Sequence, residues 1–187
     1  MANATYFVTL GGSNTLGHRM RKDATFAHLT GAALRRAGAV NHFRNSAVGA
    51  MGPMLCAACA SKYIPPTTTL ATVEFLPNMG HGMLHHDPGE VTAIDLLLRK
   101  LAALRAQTVM VNIVPRGLVL GCPACLKPAE VRRLHSRLLS VARRHSVPTV
   151  DCQWNGSART PSALKPGGWP EPLMITLSVT HEWISLM

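Results

Sequence analysis

Short apolar runs alternate with amphipathic stretches along most of this chain, and that alternation constrains its fold more than any other feature. Tyr6 to Leu10, Val40 to Arg44, Leu70 to Leu76 (LATVEFL), Thr108 to Val114 (TVMVNIV) and Pro148 to Cys152 read as strands. Between them lie helical patterns. Asp23 is the expected cap of a helix whose Phe26, Leu29, Ala33 and Leu34 share a face, and Gly38 ends it. Pro53 to Tyr63 reads as a small helix stopped before Pro65-Pro66. Glu90 to Ala106 carries Val91, Ile94, Leu97, Leu98, Leu101 and Leu104 at helical spacing. Pro128 suits a first helical turn, and Val131, Leu134, Leu138 and Val141 line one face up to Ser146. Strands alternating with helices of this length imply βαβ units, right-handed crossovers and a parallel sheet covered on both faces, an α/β fold.

The length of 187 residues suits one domain with a sizeable core. At 47% hydrophobic and 15% charged, the composition is that of a globular chain. No apolar run reaches the roughly 18 residues that span a bilayer. No basic segment followed by an apolar stretch opens the chain, so a soluble, cytoplasmic protein is the default expectation. The net charge is +10, but the cationic residues are spread in pairs such as Arg35-Arg36, Arg132-Arg133 and Arg143-Arg144. Aromatic residues, at 5%, are too few for stacking platforms on single strands. A solvated basic surface is therefore expected, and nucleic acid is not the expected partner. Asn155 to Pro172 is rich in Gly, Pro and Ser and reads as a loop, followed by an apolar segment, Leu173 to Val179.

In an open parallel sheet, ligands gather beyond the carboxyl ends of the strands. Three segments follow strands here: Gly11-Gly12-Ser13, then NSAVGAMG at 45–52, then Pro77-Asn78. An acyl-transfer site needs a nucleophile, a base and donors aimed at the developing oxyanion. Ser13 is the candidate nucleophile. Its own N–H, the N–H of Gly49 and the Asn78 amide are candidate oxyanion donors.

These blocks resemble those of the SGNH (GDSL-like) hydrolases. GGSNTLG at 11–17 is similar to the family's first block, with Gly12 in place of Asp. NSAVGAMG is similar to the second block, and VEFLPNM at 73–79 to the third, with Asn78 on the Asn and Met79 in place of Asp. The stretch from Asn45 to Asn78, with HSVPTVD at 145–151, resembles algal and plant-type members. The resemblance covers about residues 5–155 and leaves 156–187 as a divergent tail. It implies a single flavodoxin-like three-layer α/β/α sandwich with a mostly parallel five-stranded sheet. It also implies hydrolysis of a small-molecule or carbohydrate ester through an acyl-serine, with no cofactor or metal. The family's fourth block, D-x-x-H, is nearest to Ser178-Val179-Thr180-His181, which makes His181 the candidate base and puts Ser178 where the Asp stands. Two other readings stay open: a catalytically decayed ligand-binding protein of the same fold, and a basic nucleic-acid-binding α/β domain.

Cys56-x-x-Cys59 and Cys122-x-x-Cys125 have the form of metal or redox pairs. They are 62 residues apart, against a zinc-ribbon spacing of roughly 15–20, so packing is the expected role. His81, His85, His86 and Asp87 are expected in a solvated loop bordering the same cleft. In VRRLHSRLLSVARRH the apolar stripe should meet the sheet and the arginines the solvent.

Overall fold

The computed structural model describes residues 5–17, 20–79, 88–114, 128–154 and 175–179. Six strands form one sheet: β1 (Tyr6–Gly11), β2 (His42–Asn45), β3 (Thr68–Glu74), β4 (Gln107–Val114), β5 (Thr149–Trp154) and β6 (Ile175–Val179). Their order is β2-β1-β3-β4-β5-β6. The first five pair in parallel and have the 2-1-3-4-5 order of a flavodoxin-like sheet. β6 adds to the edge antiparallel to β5, so the apolar segment near the end of the chain is a sixth strand, beyond the five expected. Its pattern, ITLSV, is rich in the residue types that fit a pleated edge.

The helices are α1 (Ser13–Leu16), α2 (Phe26–Arg36), α3 (Pro53–Ala58), α4 (Ala60–Tyr63), α5 (Pro88–Ala103) and α6 (Pro128–Arg144). The expected helix over 53–63 is thus two pieces, broken where Cys59 leaves helical dihedrals at φ −104°, ψ 32°. On one face of the sheet, Val8, Leu10, Ala71, Val73 and Met110 join Cys56 and Ala57 of α3, Ile94, Leu97, Leu98 and Leu101 of α5, and Leu138 and Val141 of α6 in one core. Leu97 and Leu101 are fully buried, and each such side chain contributes roughly 1.5–3 kcal/mol. Leu104 lies past the end of α5 and is exposed. On α6 Leu138 and Val141 of the apolar stripe are buried, Val131 and Leu134 are half-buried, and Arg132, Arg133, Arg137, Arg143 and Arg144 face solvent.

The opposite face carries Phe7, Thr9, Gly11, Thr72 and Glu74, and α2 covers its β1–β2 side. The buried positions of α2 are Ala27 and Gly31, while Leu29 is 56% exposed and Ala33 is also exposed, so the expected apolar face is corrected. Size decides the matter. A Cβ on Gly31 would come within 2.6 Å of the Phe43 ring, which stacks on Phe7 at 5.3 Å. Small residues let α2 approach an aromatic pair that already fills the layer.

The cap of α2 is likewise Thr25 rather than Asp23. Thr25 accepts a hydrogen bond from His28 N at 3.2 Å, whereas Asp23 lies in a 3-10 turn and pairs with Arg21. Thr25→Ala is expected to cost about 1 kcal/mol in chemical denaturation. Asp23→Ala, which breaks only an exposed ion pair, should change stability by less than about 0.5 kcal/mol. The reverse ranking would reinstate Asp23 as the cap.

Candidate active site

In a 2-1-3-4-5 sheet the strand order reverses between β1 and β3, and the crevice beyond their carboxyl ends is the natural ligand site. Ser13 follows β1 there and Asn78 follows β3. Ser13 opens α1 and is half-buried. Leu16 N donates to Gly12 O at 3.0 Å and Gly17 N to Ser13 O at 2.9 Å, which closes the turn. Gly17 ends it at φ 79°, a left-handed conformation that suits glycine. As the first residue of a helix, Ser13 has an N–H with no intrahelical acceptor.

A buried polar cluster supports this turn from the α2 face. Asn45 is its organiser: Oδ1 accepts from Thr9 Oγ1 at 3.0 Å and from Ala47 N at 3.1 Å, and Nδ2 donates to Thr15 O at 2.9 Å. Thr15 Oγ1 in turn donates to Glu74 Oε2 at 2.8 Å. Glu74 is only 1% exposed, and its Oε1 has no hydrogen-bond partner. Burial raises its pKa from 4.5 to about 7, against the lowering effect of Thr15 beside it. Glu74, Thr15 and Asn45 were not among the sequence candidates. The available signal was a lone acid inside an otherwise apolar strand, LATVEFL.

The second and third blocks close around the same turn. Ser46 N donates to Thr9 O at 2.9 Å and Val48 N to Gly11 O at 3.2 Å, so the segment after β2 follows β1 into the site. Gly49 lies in the next turn, exposed and beside Leu16 of α1. Asn78 ends a short 3-10 turn (Leu76–Asn78), and its Nδ2 donates to Met51 O at 3.0 Å. Its carboxamide fills the space beside Gly12 that a Cβ would need. The fold therefore brings Ser13, Gly49 and Asn78 to one crevice. His181, His81, His85, His86, Asp87, Cys122 and Cys125 lie outside the described residues.

Ser178 is on β6, directly opposite Asp151 of β5. Asp151 belongs to a polar group that the sequence did not announce: its Oδ1 meets His135 Nε2 at 3.1 Å and accepts from Asn112 Nδ2 at 2.8 Å. Cys56 and Cys59 are free thiols. Burial first, and Cys59 second, push the Cys56 pKa up to about 12, so it stays a thiol at neutral pH and serves packing. Among the described residues no group of three or more His, Cys, Asp or Glu is arranged to hold a metal ion.

No protein-family model and no curated protein sequence matches the chain. Solved structures do match in fold. The SGNH-hydrolase family esterase AlinE4 is 15% identical, with a TM-score of 0.58 over 91% of this chain and 87% of its own. A putative lipolytic protein of the G-D-S-L family from Desulfitobacterium hafniense is 9% identical, with a TM-score of 0.62 over 78% of this chain and 76% of its own. A two-domain esterase (CEX) active on acetylated mannans is 16% identical, with a TM-score of 0.60 over 79% of this chain and 37% of its own. The chain is thus built on the flavodoxin-like α/β fold that SGNH and GDSL esterases share.

Proposed function

We propose that this chain is a single-domain serine ester hydrolase, acting on a small-molecule or carbohydrate ester through an acyl-serine. The observation that carries the reading is the placement of Ser13 at the start of α1, where its N–H has no intrahelical acceptor, with the Asn78 carboxamide beside the adjoining Gly12 past the ends of β1 and β3. Ser13 Oγ attacks the ester carbonyl carbon while His181 takes its proton. The carbonyl oxygen, now negative, receives hydrogen bonds from Ser13 N–H, Gly49 N–H and the second Nδ2 hydrogen of Asn78; the first is already given to Met51 O. The tetrahedral intermediate collapses, the C–O bond to the alcohol breaks, and His181 returns the proton to the leaving alkoxide. Water then repeats the sequence on the acyl-serine, releasing the acid and restoring Ser13. No cofactor takes part.

The structural neighbours are esterases, which supports ester hydrolysis as the reaction class. The neighbour active on acetylated mannans makes acetylated saccharides a substrate class to test. Among the described residues no helix is long and apolar enough to cross a membrane.

A fluorophosphonate probe and a short-chain aryl ester test the reading together. Ser13 should be labelled, and turnover should disappear in both Ser13→Ala and His181→Ala. A folded protein with neither labelling nor turnover would remove the hydrolase reading and leave a ligand-binding protein of the same fold.

A further inference from the structure

We infer that Glu74 is a positioning residue for Ser13, holding the α1 turn in its neutral form and loosening it on ionisation. The inference rests on the reading of Ser13 as nucleophile and adds a regulator to that site. Glu74 has no place in the reaction itself. It is bound to the turn through the Oγ1 of Thr15, two residues from Ser13. Gly11 keeps the contact close, since a Cβ there would meet the Thr15 side chain and the Glu74 backbone carbonyl oxygen, and the 2.8 Å hydrogen bond from Thr15 Oγ1 ties the carboxyl group to the turn. Movement of the Glu74 carboxyl is therefore passed directly to the turn that carries Ser13.

The direction follows from solvation. Oε1 is buried with no protein donor while the turn is closed, and a carboxylate in that state has one oxygen without a protein hydrogen bond. Opening α1 lets water reach it. The charged form thus favours the open turn, and the neutral form the closed one. The raised pKa of about 7 puts the change within the working range of a histidine base. α1, β1 and β4 bring no charged group to it. Cys152 of β5 is the titratable neighbour, and burial first, then Asp151 and Glu74, hold it as a neutral thiol.

Linkage sets the expected size. A group with pKa about 7 closed and 4.5 open increases the open fraction by about tenfold between pH 6 and pH 8. The amides of Leu16 and Gly17, bonded to Gly12 O and Ser13 O, report that opening directly. Their hydrogen-exchange protection, corrected for intrinsic rates, should fall about tenfold from pH 6 to pH 8 and stay flat in Glu74→Gln. Fluorophosphonate labelling of Ser13 should trace a bell: a rising limb from the histidine base and a falling limb above neutrality. Glu74→Gln should keep the rising limb and lose the falling one.

Flat protection of Leu16 and Gly17 in the wild-type chain overturns the inference, and that measurement needs no variant to fold. A falling labelling limb that persists in Glu74→Gln overturns it as well. An absence of labelling at every pH strikes the hydrolase reading instead, and with it the claim on Ser13. The exchange data then decide separately whether Glu74 governs the turn.

Discussion

Gly12→Ala is expected to lower ester turnover by on the order of a hundredfold while leaving stability within about 1 kcal/mol of the parent. The backbone is not the reason: at φ −92°, ψ −148° any residue is accommodated. The reason is the neighbour. A methyl group at this position would occupy the space of the Asn78 carboxamide. That carboxamide is the free end of a side chain, so it swings away and gives up its bond to Met51 O, which holds it at 3.0 Å. The folded state loses one hydrogen bond, whereas the transition state loses the oxyanion donor proposed for Asn78. Asn78→Ala should therefore have a similar effect, and the two changes should not add. In the Asn78→Ala background, Gly12→Ala has nothing left to displace and should change turnover by less than about threefold. Additive losses, or a Gly12→Ala variant as active as the parent, would detach Asn78 from oxyanion stabilisation.

The parts of this fold that were legible in sequence are those where one periodicity governs a long segment. The α5 stripe of Ile94, Leu97, Leu98 and Leu101 and the parallel strands β1, β3 and β4 need only their own pattern to declare a buried face. Where two elements negotiate, the pattern misleads. The Leu29 stripe of α2 is more apolar than Ala27 and Gly31, yet the Phe7–Phe43 stack already fills the layer, and only small side chains fit above it. The placement of Ser13 and Asn78 just past β1 and β3 was legible because short apolar runs mark strand ends well. Their support was not. Asn45, Thr15 and Glu74 come from three separate segments, and their link consists of hydrogen bonds between residues 30 and 59 positions apart in sequence. The same holds for Asp151, His135 and Asn112, which meet only once α6 lies on the sheet.

Glu74 also dominates the expected pH dependence of folding. Its carboxyl ionises at about 4.5 in the unfolded chain and at about 7 in the folded one, because burial opposes the charge more than Thr15 favours it. Below pH 4.5 both states hold the proton and the group contributes no pH dependence. Between 4.5 and 7 the unfolded state releases its proton while the folded state keeps it, so folding stability falls as pH rises. Above 7 both states are ionised and the loss is complete, at roughly 3 kcal/mol. Glutamine has nearly the same shape and does not titrate. The stability of Glu74→Gln relative to the parent should therefore climb by roughly 3 kcal/mol between pH 4.5 and pH 8, whatever its offset at low pH. The offset itself reflects the buried amide group placed where Oε1 now lacks a partner. Every other titrating group is common to both chains and cancels in the difference. Urea denaturation of the two proteins across this range measures it directly, and a difference that does not vary with pH would mean that the folded state keeps Glu74 solvated, with no buried charge beneath Ser13.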